Sequence, residues 1–330
     1  MVSNDGIMNK SYFTGTSEII NLSIEIGKKL GIVDSTYLRK PKTKLRKTNR
    51  IKSIQSSLWI EGNSLTIDQV TDIFENKRVI GPEKDIIEVK NAINVYENLK
   101  EFKAFETKSF LKGHRLLMNG LIENPGEYRS QGVGVFKGDQ LAHMAPPAWN
   151  VNNLMKELFK YLAQSTDNII IKSCVCHYEL EFIHPFADGN GRMGRLWQTV
   201  ILMLENPIFE FLPIELEIKA NQKEYYEVLS NSDKSGESTI FIEYMLKIIN
   251  NSLNKVINQQ RSNLNDFERL IYFMEQNKEL EFTRKDYLDV FKNISAATAT
   301  RDMKKGISEG FWLKIGDNRT TKYKIVKTQT

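Results

Sequence analysis

The chain has 330 residues, 46 Lys and Arg against 41 Asp and Glu, a formal net charge of +5, and is 41% hydrophobic and 26% charged. This balance is that of a folded globular protein and excludes a disordered one. No apolar run reaches the roughly 18 residues of a spanning helix, so no membrane segment is expected. The small net charge hides an uneven distribution: +7 over residues 1–55, −8 over 56–283 and +6 over 284–330. Such asymmetry points to a nucleic-acid contact at one end or to solvated helical faces, the latter fitting the N-terminal share over Arg39 to Lys52. The start, MVSNDGIMNK, has no basic segment leading into an apolar core, so no secretory signal is expected. Cys174 and Cys176 sit one residue apart and cannot staple a fold, which favours a reducing, cytoplasmic setting.

In chain order, the pattern is mainly helical. Over residues 44–59, Leu45, Ile51, Ile54 and Leu58 mark one face, ending at Glu61-Gly62-Asn63. Thr66-Ile67-Asp68-Gln69 has capping-box spacing and opens a helix through Phe74. Further helices are predicted from about residue 85 through 95 and over 110–121. The stretch 127–147 is rich in Gly and Val and ends in Ala145-Pro146-Pro147, which fits a short hairpin or flap. Helices resume over 151–164 and 169–183. Residues 231–238 (NSDKSGES) read as a polar loop, a long helix follows to about 258, and 259–265 read as a linker. Beyond it come helices over 267–276, 284–291 and 296–309, then strands over 311–315 and 321–325 around Gly316-Asp317-Asn318. Three helices and a two-stranded wing are the order of a winged helix-turn-helix.

The chemistry-bearing string is His184-Pro185-Phe186-Ala187-Asp188-Gly189-Asn190-Gly191-Arg192-Met193-Gly194-Arg195. Helical spacing on both sides makes it a helix–loop–helix junction whose second helix starts near Asn190. A helix start offers unpaired N–H groups and positive dipole, and its glycines let a phosphate approach. Arg192 and Arg195, three apart, place two guanidinium forks beside that anion hole. Asp188 suits Mg²⁺, which engages one or two carboxylates together with substrate phosphates. His184 suits a general base near neutral pH. Gly189, Gly191 and Gly194 match G-x-G-x-x-G, but the helical flanks exclude the βαβ context that a dinucleotide fingerprint requires. Cys174, Cys176, His177 and His184 lack zinc-ligand spacing, so burial is expected for the cysteines.

The same string matches, at every specified position, the signature HPFx[D/E]GNGRxxR, and the chain thus resembles the Fic (Fic/Doc) family from about residue 44 through 250. The resemblance implies a mainly α fold, an all-helical Fic core with a small β-hairpin flap plus a C-terminal winged helix-turn-helix. It divides the chain into an N-terminal helical region (1–105) with an inhibitory helix (about 44–62), a catalytic core (106–258) and the winged helix (259–330). It also implies transfer of AMP from ATP to a Tyr, Ser or Thr hydroxyl of a protein, the chain itself included. By that resemblance His184 is the base and Asp188 the Mg²⁺ ligand. Backbone and side-chain groups at Gly189, Asn190 and Gly191 hold the α- and β-phosphates with help from Arg192, Arg195 holds the γ-phosphate, and Asn221, Tyr225 and Tyr226 lie on the adenosine side. The flap, residues 126–147, would align the target's backbone by strand addition.

Ser57-Leu58-Trp59-Ile60-Glu61-Gly62 further resembles the family's inhibitory pattern [S/T]xxxE[G/N], in which the glutamate, here Glu61, pairs with the second arginine, here Arg195. Removal of AMP, with Glu61 activating water, is an alternative use of the same site. Transfer of a different phosphate-containing group is a family outlier. A nucleotide-sensing DNA-binding regulator is a rival of another class. DNA would be met through Ser295, Thr298, Arg301, Lys304 and Lys305, with Arg319 and Lys322 on the wing. Dimers recur in the family.

Overall fold

The computed structural model describes residues 11–34, 43–137, 140–277, 279–317 and 321–326. Two compact units form: one from Thr43–Ser252 with the described residues up to Ile26, the other from residues 27–34 with those after 252. The helices of the first unit are α1 (Ser17–Val33), α2 (Thr43–Ile60), α3 (Ile67–Phe74), α4 (Glu83–Glu97), α5 (Thr107–Leu117), α6 (Ala148–Gln164), α7 (Ile169–Ile183), α8 (Asn190–Leu202), α9 (Ile214–Ala220), α10 (Gln222–Ser235) and α11 (Thr239–Ser262), of which α1 and α11 run on into the second. The N-terminal helices and the motif-bearing pair therefore share one unit.

At its centre lie α7 and α8. Every residue of α8 is buried, as are most of α7, so neither carries the apolar stripe of a surface helix. Phe110, Phe159, Phe186 and Trp197 form an aromatic cluster with centroids 5.1–5.5 Å apart, and the Trp197 indole donates to the Ala104 carbonyl at 2.9 Å. Both thiols are buried as expected. The α2 helix buries Ile51, Ile54 and Leu58 and stops at Gly62, in the left-handed region (φ 91°). The Thr66 capping box opens α3 with both reciprocal bonds in place. An antiparallel hairpin pairs β1 (Gly134–Lys137) with β2 (Gln140–Met144), with a register shift between Val135 and Phe136; Gly138 lies outside the described residues.

Three sequence expectations need correction. Residues 231–235 continue α10, which ends only at Gly236 in the left-handed conformation, so the polar loop is confined to its C-cap. The long helix α11 extends to Ser262, leaving a linker of only a few residues. The helix expected over 110–121 starts earlier and ends at Leu117. Polar residues on a solvated helical face carry no apolar periodicity, which is why the first two segments read as breaks.

In the second unit α12 (Asp266–Gln276), α13 (Arg284–Val290) and α14 (Ala296–Ser308) pack with a three-stranded antiparallel sheet ordered β3 (Glu281–Phe282), β5 (Lys322–Ile325), β4 (Trp312–Ile315). The short β3 adds one strand to the expected wing. Asn265 and Thr283 form capping boxes, and Ser295 caps α14. Asp302 is held by both ends of the Arg269 fork (2.8 and 2.9 Å) and by the Tyr287 hydroxyl (3.0 Å), beneath a core of Phe273, Tyr287 and Trp312. Among the described residues, no helix is long and apolar enough to cross a membrane.

Candidate active site

The junction between α7 and α8 is held by its own side chains. Asn190 accepts from the Phe186 N–H (2.8 Å) and donates to the Phe186 carbonyl (2.9 Å), closing the loop into a ring. Its amide is thereby engaged within the loop, which leaves its backbone N–H, rather than the side chain expected from sequence, for an anion at the helix start. Phe186 is fully buried and stacks on the His114 ring at 3.6 Å and 4°. The loop turns through Gly189 in the left-handed region (φ 85°). Beyond it the first N–H groups of α8 have no intrahelical acceptor, which makes an anion hole.

His184 ends α7 in the left-handed conformation (φ 50°, ψ 60°), uncommon for a residue with a Cβ. Its Nδ1 lies 3.3 Å from the Glu181 carbonyl. A carbonyl only accepts, so Nδ1 carries the proton and Nε2 keeps its lone pair. Burial pushes the His184 pKa below its ordinary value, against the opposing pull of Glu181 and with added push from Arg129. The ring is thus neutral at pH 7, the form a base needs.

Asp188 accepts from the Gly189 N–H at 2.5 Å and from Arg192 at 2.8 Å, and its side chain stays 45% exposed. A half-exposed carboxylate at an anion hole fits Mg²⁺, whose shell is completed by water and substrate phosphate oxygens. Among the described residues no group of three or more His, Cys, Asp or Glu side chains could hold a metal, so Asp188 and the substrate would have to share it. Arg192 is buried and donates to Asp188 through one nitrogen and to Glu88 at 2.9 Å through another. Glu88 also accepts from Asn63 at 2.8 Å. Arg192 is therefore fixed between two carboxylates, and in this state it orients Asp188.

Arg195 is buried. Its Nε donates to the Ser57 hydroxyl (3.1 Å), and its Nη2 to the Ser57 carbonyl (3.0 Å) and to Glu61 Oε1 (2.6 Å). A Cβ on Gly191 would collide with that same Glu61 oxygen. The Glu61 carboxylate thus lies beside Gly191 at the start of α8 and on the guanidinium together. Ser57 and Glu61, one turn apart, both meet Arg195 as the four-residue spacing expects.

The three adenosine-side candidates separate. Asn221 is exposed between α9 and α10 and donates to the Glu217 carbonyl; Tyr226 is half-buried. Tyr225 is buried, with its hydroxyl donating to Glu181 (3.1 Å) and 3.0 Å from His177, so its ring belongs to the core. At the cap and on the face of α14, Ser295, Arg301 and Lys304 are exposed, while Thr298 is half-buried and bonded to Arg301. Lys305 pairs with Asp266 and Lys322 with Glu281. Arg319 lies outside the described residues.

Three residues were missed from sequence: Glu88, His114 and Arg129. The first two had a signal. Glu88 shares the stripe of buried Ala92 and Val95, and His114 that of Phe110 and Leu117; a polar group on an apolar stripe needs a partner. His114 accepts from the Gly126 N–H (2.8 Å) and donates to the Asp188 carbonyl (3.0 Å), tying α5 to both the flap base and the motif. Burial pushes its pKa down to about 4.

The model of the Fic/DOC family matches residues 104–202. A Fic family protein from Desulfovibrio desulfuricans, known by crystal structure, is 36% identical with a TM-score of 0.74, over 97% of this chain and 99% of that one. Similar curated proteins include the protein adenylyltransferase Fic of Nematostella vectensis, 28% identical over 206 residues, and a probable protein adenylyltransferase of Aquifex aeolicus, 28% identical over 223. These matches cover 59% and 65% of this chain, and the chain spans 45% and 65% of the respective relatives.

Proposed function

The chain belongs to the Fic/DOC family, and on that premise we propose that it is a protein adenylyltransferase that moves AMP from ATP to a Tyr, Ser or Thr hydroxyl, its own included, and that Glu61 restrains it. The observation that carries this reading is the pairing of a neutral His184, Nε2 unprotonated, with the start of α8, beside which Arg195 holds a carboxylate. The target hydroxyl oxygen attacks the α-phosphorus of ATP and its proton passes to His184 Nε2. The bond from the α-phosphorus to the bridging oxygen breaks, and pyrophosphate leaves with the electron pair. Backbone N–H groups at Asn190 and Gly191 stabilise the phosphate oxygens, Gly189, whose N–H is held by Asp188, lets them approach, and Arg195, once free of Glu61, takes the γ-phosphate. Asp188, oriented by Arg192, would hold Mg²⁺, which when bound supplies neutralising charge to the polyphosphate. Asn221 and Tyr226 would border the adenosine. The hairpin β1–β2 would align the target by strand addition.

A carboxylate at the γ-phosphate position is what an inhibitory residue requires. Because that carboxylate also lies beside Gly191, Glu61 could instead activate water against an AMP–protein bond, the second reading of this site. The test uses Glu61→Gly with ATP labelled at the α- or the γ-phosphate. Protein label from α alone supports adenylyl transfer; label from γ means phosphoryl transfer. Release of AMP from pre-labelled protein by the wild type, lost in Glu61→Gly, would favour the second reading.

The proposal extends to organisation and setting: an N-terminal region to 105 with the inhibitory helix, a catalytic core over 106–258 and a winged helix-turn-helix beyond, in a reducing cytoplasm. Two buried thiols, Cys174 pushed up to about 12 by burial, support a chain built for that setting. Exposed Arg301 and Lys304 on α14 support a DNA contact; removing both should weaken duplex retention at low salt and reduce the salt slope by about 2.

A further inference from the structure

Arg129 stands at the entry to the hairpin, outside the motif, and is buried. Its guanidinium donates to four carbonyls: Nε to His184 (2.7 Å), Nη1 to Gln131 (2.8 Å), and Nη2 to Pro146 (2.5 Å) and Ile183 (3.2 Å). Its own N–H donates to the Pro185 carbonyl at 2.9 Å. Three consecutive carbonyls at the end of α7 are thus taken by one residue, where the helix leaves acceptors unpaired and its dipole is negative. Gln131 and Pro146 flank the hairpin on its two sides. The residue so clamped, His184, is held in a conformation that side chains rarely adopt, and such a conformation persists only where the surroundings over-determine it.

We propose that Arg129 is a positioning residue for the proposed transfer: it locks the backbone of His184 and ties both stems of the hairpin to it, so that base and target strand keep one geometry. This rests on the adenylyltransferase reading. Arg129 has a second, electrostatic consequence. Its charge faces the His184 ring together with Glu181 of the preceding turn and Glu61 of α2, and of these three Arg129 alone favours the neutral imidazole.

The experiment compares Glu61→Gly with Glu61→Gly/Arg129→Gln and Glu61→Gly/Arg129→Lys. Self-labelling from α-labelled ATP gives the rate, a fluorescent ATP analogue gives nucleotide affinity, and histidine NMR, assigned by the signal lost in His184→Ala, gives the imidazole titration. In Arg129→Gln the rate should fall at least tenfold with nucleotide affinity within twofold of the parent, and His184 should titrate at higher pH. Arg129→Lys keeps the charge but not the fork: His184 should titrate as in the parent while the rate still falls at least threefold. An Arg129→Gln rate within twofold of the parent, or an unmoved His184 titration, overturns the proposal. So does Arg129→Lys at full rate, which decides the matter even where Arg129→Gln does not fold. Should the parent transfer no AMP, the adenylyltransferase reading fails, while the NMR titration still judges Arg129.

Discussion

Replacing Glu61 by Gly removes the carboxylate from Arg195 and from beside Gly191. The lost contact is a 2.6 Å charge-assisted bond between a guanidinium 1% exposed and a carboxylate 30% exposed. Hydrogen bonds to charged groups contribute about 1.5–3 kcal/mol; partial solvation of Glu61 reduces this one to about 1–2 kcal/mol. As a two-state bias between a blocked and an open Arg195, that corresponds to a blocked-to-open ratio of roughly 5 to 30. Initial AMP transfer at ATP well below saturation should therefore rise about 5- to 30-fold in Glu61→Gly. Glu61→Gln, which keeps a hydrogen bond without the charge, should fall between. The ligand-free variant should also melt earlier, because Arg195 is left buried with only Ser57, and ATP should restore part of the loss. Rates from α-labelled ATP and melting curves with and without nucleotide measure both. A Glu61→Gly rate within twofold of wild type would refute the reasoning that this carboxylate holds the site closed.

Other outcomes follow from the packing around the motif. Phe186→Ala removes a fully buried ring that contacts Phe110, His114 and Tyr128, and should cost about 3–5 kcal/mol, seen as a lower denaturant midpoint. His114 stays neutral in the folded protein, its pKa lowered to about 4. A depressed histidine contributes stability that is complete above its unfolded value near 6.5 and is lost as pH falls through about 4. Stability should thus drop by on the order of 3 kcal/mol across that window, and His114→Gln should flatten the slope there; an unchanged slope contradicts the assignment.

Much of this was legible from the chain because it rests on local patterns. The start of α8 at Asn190, the Thr66 capping box and the four-residue spacing of Ser57 and Glu61 are written in neighbouring residues. What was not legible depends on contacts between distant ones. Glu88 and Arg192 are 104 residues apart, and nothing in the spacing of either names the other. Arg129 reaches its carbonyls through backbone groups that have no sequence signature. The Asn190 side chain looked available for phosphate until its ring with Phe186 was seen, and Tyr225 until its hydroxyl was placed on Glu181. The two-residue strand β3 is too short for alternation to register.

The central claim is that His184 takes the proton of a hydroxyl attacking the α-phosphorus. Its most direct measurement is AMP incorporation by Glu61→Gly compared with Glu61→Gly/His184→Ala at equal nucleotide occupancy. The account predicts robust labelling in the first and a loss of about 10²-fold or more in the second, with ATP binding retained. Equal labelling in the two would contradict it.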